Sequence, residues 1–173
     1  MFHLGSMDWL PNQDGIRWLL DKVWPRVLAK FPDVRLHLAG RSMPQWMLES
    51  EHPNVDVVGE VDSAFDFIAS HSIMVVPLHS GGGMRIKIVE GLALRKAIVS
   101  TTLGAAGIDY SNGDDIFIAD SAEQFADCLN QLLSDSDLRE RMAKNGQRLA
   151  SESYENEVVI AKLVSFYNDL LSR

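Results

Sequence analysis

A single cysteine among 173 residues excludes an internal disulfide. Cys128 falls on a helical stripe with Phe125, Leu129 and Leu132, the place of a buried thiol rather than a nucleophile. No apolar run reaches about 18 residues, so no segment reads as a membrane-spanning helix. The start, Met1-Phe2-His3-Leu4-Gly5, lacks the basic and long apolar regions of a signal peptide. Both features fit a cytoplasmic protein. Basic residues are in the minority, 16 against 24 acidic, and the net charge of -8 argues against nucleic acid as a general partner. A local basic site for a phosphorylated ligand is still compatible with that balance. Several chemistries lack their signatures. There is no H-E-x-x-H, cysteine pair or calcium loop, and His3, His37, His52, His71 and His79 show no metal-ligand spacing, so no metal is expected. No G-x-S-x-G elbow is present. A dinucleotide fingerprint would follow the first strand, where Gly5-Ser6-Met7-Asp8 stands instead. Gly81-Gly82-Gly83 leads into Met84-Arg85-Ile86-Lys87 rather than a Walker sequence. Metal-independent chemistry, or binding alone, is what these absences leave.

What is present is enough apolar sequence, 46% of the chain, for one domain with a real core. Short apolar runs alternate with helical patterns. Phe2-His3-Leu4 comes first, beginning so abruptly that it reads as an internal domain boundary. Asp8 to Asn12 reads as a loop, with Pro11-Asn12 as a turn. From Asp14, Ile16, Leu19, Leu20, Val23, Trp24, Val27, Leu28 and Phe31 recur at helical spacing, with Asn12 or Asp14 as cap. Pro25 predicts a kink or two helical pieces. Val34–Gly40 and Val55–Gly59 read as strands around a short helix from Pro44 to Glu51. A helix after Asp62 is expected to bury Phe65, Ile68 and Ala69 on one side. Strands at Ile73–Val76, Ala97–Ser100 and Ile116–Ile118 follow, with a helix from about Arg85 to Leu94 between the first two. Ser121 and Gln124 have capping-box spacing, and Asp135 and Asp137 open another helix. A last helix from about Tyr154 presents Val159, Leu163, Phe166, Tyr167 and Leu170. The pattern predicts an α/β, three-layer Rossmann-like domain over residues 1–173, with a mostly parallel sheet of about six strands. Residues 121–173 form a helical extension.

One stretch is hard to explain by packing. After the strand at Ile73, Pro77 opens a glycine-rich loop that runs into a helix carrying Arg85, Lys87 and Glu90. Consecutive glycines bring backbone N–H groups close to a ligand, and a helix N-terminus favours an anion. Cations in a first helical turn are unfavourable unless an anion compensates them, as a diphosphate would. A surface loop with two solvated basic residues is the alternative. Glu90, set among Ile88, Val89, Leu92 and Ala93, reads as a solvated helix face or as a ligand for hydroxyl groups.

The run Gly81-Gly82-Gly83-Met84-Arg85-Ile86-Lys87-Ile88-Val89-Glu90-Gly91-Leu92-Ala93, continued by Lys96-Ala97-Ile98-Val99-Ser100-Thr101-Thr102-Leu103-Gly104, resembles the C-terminal domain of retaining, GT-B-fold glycosyltransferases of group 1, or family 4. Gly5-Ser6-Met7-Asp8-Trp9, Pro11-Asn12, Trp24-Pro25, Leu38-Ala39-Gly40 and Val58-Gly59-Glu60-Val61 agree in order, and the likeness runs past Asp120 to Gly146. The resemblance implies transfer of a glycosyl group from a nucleoside-diphosphate sugar to an acceptor hydroxyl, with retention of configuration and no cofactor or metal. By that likeness Glu90 matches the second glutamate of an E-x7-E motif and bonds the nucleotide ribose. The amides of Met84, Arg85 and Ile86 meet the diphosphate, and the donor site includes Gly81, Gly82, Gly83, Lys87, Gly5, Ser6, Thr102 and Gly104. Gly82 stands where the first glutamate usually contacts the sugar, a glycine-rich variant of the motif. The basic pair usual after the first strand is missing near Gly5, and Arg85 and Lys87 are the candidates to replace it; with Glu90 they form the expected catalytic group. The chain is expected to be the donor half, inactive without an N-terminal acceptor-binding domain. Any peripheral membrane contact belongs to the full-length protein. The alternative is a non-catalytic nucleotide-sugar-binding or protein-interaction module.

Overall fold

The computed structural model describes residues 1–171. Two four-residue strands, Ile73–Val76 (β4) and Ala97–Ser100 (β5), are buried at every position, as central strands of a covered parallel sheet must be. Around them lie β1 (Phe2–Leu4), β2 (Leu36–Ala39), β3 (Val55–Gly59) and β6 (Phe117–Ile118). The six strands are parallel and ordered β3-β2-β1-β4-β5-β6. The chain builds outward from β1 to β3, then returns to place β4 on the other side of β1. This reversal leaves a crevice at the carboxyl ends of β1 and β4, where open α/β sheets bind ligands.

Helices cover both faces. On one, Ile16, Leu20, Trp24, Val27, Phe125 and Leu129 pack on Leu36, Leu38, Val75 and Val99. On the other, Ile68, Ile88 and Leu92 pack with Phe2, Met74, Val76 and Ile98. The helices are α1 (Leu10–Trp18), α2 (Trp24–Leu28), α3 (Gln45–Leu48), α4 (Ala64–Ala69), α5 (Ile86–Ala93), α6 (Ala122–Ser134), α7 (Ser136–Tyr154) and α8 (Asn156–Leu171). The expected three-layer architecture and parallel sheet are therefore what the chain adopts.

The departures are local and have causes. The first helix begins at Leu10, not Asp14, because Pro11 occupies the first turn, where its fixed φ is favourable and its missing N–H costs nothing. Neither Asn12 nor Asp14 caps it; no side chain does, and Asn12 is buried inside the helix. Pro25 does divide the long helical pattern. A π-helical turn, Leu19–Val23, precedes α2, and Pro25 sits in the first turn of the new helix. Phe65, expected in the core, is exposed; its neighbour Phe67 packs edge-on against Phe2 instead. Strand β2 starts at Leu36 rather than Val34, and α3 spans only Gln45–Leu48. Ser121 accepts from the Gln124 N–H as its spacing predicted, and Asp135 alone caps α7, accepting from Asp137 and Leu138. Cys128 is partly buried, and that burial pushes its thiol up to about 11. The face of α8 is apolar and uncovered: Val159, Ile160, Leu163, Val164, Phe166 and Tyr167 are each 46–59% exposed.

Candidate functional site

Two loops meet over the crevice. Gly5 to Trp9 leaves β1, and Pro77 to Arg85 leaves β4. Gly81 and Gly83 take φ of +101° and +81°, a region that residues with a Cβ rarely enter, so the glycines make this loop shape accessible. The loop delivers Arg85 to the N-cap of α5, one position before the helix rather than within its first turn. The N–H groups of Met84, Arg85 and Ile86 have no acceptor among the described residues. They are donors of the kind a helix N-terminus leaves for an anion.

Arg85 is only 9% exposed, unusual for arginine. One guanidinium nitrogen donates to the Gly82 carbonyl. Its Nε and Nη2 are buried without partners. The guanidinium carbon lies 4.6 Å from the centroid of the Trp9 ring, stacked against its face. Two unpaired donors of a permanent cation, buried between Trp9 of one loop and Gly82 of the other, are costly unless a ligand's oxygens complete them.

Lys87, two residues further into α5, points under the other loop. Its Nζ donates to Asn12 Oδ1 at 3.2 Å, while Asn12 Nδ2 donates to the Ser6 carbonyl at 2.8 Å. Desolvation first, then the charge of Arg85, lowers its pKa to about 8, with Glu90 opposing. A Cβ on Gly5 would sit 2.6 Å from that Nζ, 2.8 Å from Asn12 Nδ2 and 3.1 Å from His3 Nε2. Glycine is thus needed at position 5 for these three polar groups to converge. His3 is fully buried; its Nδ1 lies 2.9 Å from the Val75 carbonyl, so this nitrogen carries the proton. Burial, then Lys87, depresses the imidazole to about 3, and it is neutral at physiological pH.

The other expected residues are distributed around this pair. Glu90 is exposed on the next turn of α5, close enough for its charge to act on Lys87. Gly82, Gly83, Met84 and Ile86 are exposed on the loop and helix start. Gly5 and Ser6 line a cavity of about 420 Å³ with Leu4, Gly40, Arg41 and Glu60. Thr102 lines a second, of about 550 Å³, but its N–H and hydroxyl both donate to Asp120. Gly104 is buried and its N–H donates to Thr101 Oγ1 at 3.0 Å. Three residues that sequence reasoning left out of the site belong to its geometry: His3, Trp9 and Asn12. The sequence marks Asn12 as a turn residue or helix cap and as part of the family likeness, Trp9 as part of that likeness, and His3 as a strand residue. Among the described residues no group of three or more His, Cys, Asp or Glu could hold a metal ion. None of their helices is long and apolar enough to cross a membrane.

Known proteins share this arrangement of elements. The capsular polysaccharide biosynthesis glycosyltransferase CapM of Staphylococcus aureus is 25% identical over 98% of this chain and 47% of its own length. The chain spans under half the length of the curated relatives it matches. The C-terminal domain of the group 1 glycosyl transferase LpcC from Francisella tularensis superposes with a TM-score of 0.70, at 21% identity, over 90% of this chain and 86% of that one. Anabaena HepE in complex with UDP superposes with a TM-score of 0.73, at 18% identity, over 95% of this chain and 48% of that one. These likenesses carry the GT-B C-terminal fold. The family model for group 1 glycosyl transferases matches residues 1–135, and by that match the chain belongs to the group 1 glycosyltransferases.

Proposed function

We propose that this chain binds the nucleoside-diphosphate sugar donor of a retaining glycosyltransferase, with the diphosphate between the Gly5 and Pro77 loops. The observation that carries this reading is Arg85, buried with Nε and Nη2 unpaired beside the free amides of Met84 and Ile86. Lys87 supplies a second positive charge from below. The cavity beside Gly5 and Ser6 has room for a nucleoside. Glu90, exposed on α5 outside the lining of that cavity, is the carboxylate assigned to the ribose. HepE, about half of which superposes on this chain, is a complex with UDP, which supports a nucleotide as ligand here. In transfer, the bond between the anomeric carbon and the leaving phosphate oxygen breaks as the acceptor oxygen bonds on the same face, and the acceptor's hydroxyl proton passes to that phosphate oxygen. Charge grows on the diphosphate, where the cations and amides stabilise it. No nucleophile from this chain takes part, and turnover is expected only beside an acceptor-binding domain.

Calorimetry with UDP, GDP, ADP and their sugar conjugates tests the reading; absence of binding by every one of them overturns it. The pH dependence identifies Lys87. Its amine is charged below about 8 in the free protein and loses the proton above it, so affinity should fall on the alkaline side. One linked proton gives a slope of up to about tenfold per pH unit. The nucleotide's own phosphates are already ionised there and add nothing. In Lys87→Met, affinity should be lower at pH 7 and flat above 8, where the wild type declines.

Gly82 favours a second reading, nucleotide binding without normal use of the sugar. It lacks the carboxylate found in related motifs. Its φ is not in the left-handed region, and a Cβ there would meet nothing within 4 Å, so Gly82→Glu should fold normally. If the donor sugar lies against this loop, the added carboxylate should tighten the sugar conjugate relative to the free nucleotide by about tenfold. An unchanged ratio favours the binding module.

A further inference from the structure

The β1–α1 loop, Gly5 to Trp9, contains no lysine or arginine, yet it forms one wall of the crevice. What it brings is an indole. Trp9 is the N-cap residue of α1, with extended backbone, and its side chain makes no cap hydrogen bond; its carbonyl accepts from the Asn12 N–H at 3.0 Å. The ring packs partly on the apolar core and turns its face to the Arg85 guanidinium, 4.6 Å away. The glycine loop closes over the same ring. A Cβ at Gly81 would lie 2.5 Å from Trp9 Cζ2 and 3.0 Å from Arg85 Nη2, so only a residue without one fits between them. The arginine is thereby fixed on two sides, by the indole face and by the Gly82 carbonyl, while Nε and Nη2 receive no protein partner.

We propose that Trp9 is a positioning residue for Arg85, its indole face holding the guanidinium so that Nε and Nη2 point together at the diphosphate. The proposal rests on the reading of Arg85 as a diphosphate ligand. A planar cation against an aromatic face keeps its edge free for hydrogen bonds, which a carboxylate partner would have consumed. The indole also removes water from one face of the cation and limits the rotamers to be frozen on binding. Trp9 touches no ligand atom in this scheme; it acts through Arg85.

The test is calorimetry of inorganic pyrophosphate and UDP binding to the full chain. The proteins are wild type, Trp9→Leu, Trp9→Phe, Arg85→Ala and the Trp9→Leu/Arg85→Ala pair. Trp9→Leu keeps apolar bulk but loses the aromatic face, and both ligands should bind about tenfold more weakly. Trp9→Phe keeps a face and should lie within about threefold of wild type, a rescue that simple packing would not require. The double variant should bind no more weakly than Arg85→Ala alone, because the indole has nothing left to position. Trp9→Met serves as a second non-aromatic variant should the leucine protein be poorly folded. Wild-type affinity in the non-aromatic variants, while Arg85→Ala has lost binding, overturns the role of Trp9 and leaves the diphosphate reading standing. Full additivity in the double variant overturns it equally. Wild-type affinity in Arg85→Ala overturns the diphosphate reading itself, and the role of Trp9 with it.

Discussion

Arg85→Ala is expected to weaken nucleoside-diphosphate binding about a hundredfold without lowering the thermal midpoint of the free protein. The binding loss follows from two charge-assisted hydrogen bonds, each contributing about 1.5 kcal/mol or more, and about 1.4 kcal/mol is a factor of ten. The stability term has the opposite character. In the free protein, Arg85 places a cation at the N-terminus of α5, where the helix dipole repels it. Two of its nitrogens are also buried without partners. Against this stand one bond to the Gly82 carbonyl and the contact with Trp9, which are of similar size to the costs. Since Arg85 makes no side-chain cap, alanine forfeits none. Thermal unfolding with and without UDP checks both halves. Ligand should raise the wild-type midpoint and leave that of Arg85→Ala nearly unmoved. A variant that unfolds early and still binds would show Arg85 to be structural.

His3 should govern part of the acid instability of the fold. Its folded-state pKa is about 3 against an ordinary value of 6.5, so between those limits the unfolded chain holds a proton that the native protein does not. Stability then rises with pH across this window, is fully present above 6.5, and is lost as pH falls toward 3. A shift of this size corresponds to on the order of 5 kcal/mol. Urea unfolding of wild type and His3→Phe from pH 3 to 7 isolates it, because the carboxylates titrate alike in both. At pH 7, His3→Phe should be less stable by about 1–3 kcal/mol, since the Val75 carbonyl loses its donor. By pH 3 the two proteins should have converged or crossed. Parallel curves would mean that His3 does not stay neutral in the native state. The physical basis is the narrowness of the β1–β4 seam: Phe2–Met74 is the one register pair between these strands, and the His3 imidazole supplies a donor where the ladder gives out.

Much of the architecture was legible in local pattern. Ile73–Val76 and Ala97–Ser100 are continuous apolar runs, as strands covered on both faces must be. Ser121 and Asp135 announced the helices they cap, since capping reaches only two or three residues ahead. Pro25 marked a real break between helical pieces. Phe65 misled, because a six-residue helix offers too little periodicity to separate its buried edge from its exposed one.

The candidate site divides along the same line. Its glycine loop, the basic pair Arg85 and Lys87, and Glu90 all lie in one stretch, so the sequence alone determined which residues form the candidate anion cradle. It also determined what the cradle lacks, a carboxylate at Gly82. What faces those residues was decided only by tertiary structure. The chain places β4 beside β1 after crossing two other strands, and this brings Trp9 over Arg85 and Asn12 under Lys87. Lys87 and Asn12 are 75 residues apart, a separation no local periodicity records. Burial then did the rest. It left two Arg85 nitrogens without partners, moved the Lys87 amine to about 8, and kept His3 neutral beneath Gly5. Residue chemistry is written in the sequence, whereas desolvation and juxtaposition exist only once the strands are ordered and the helices packed.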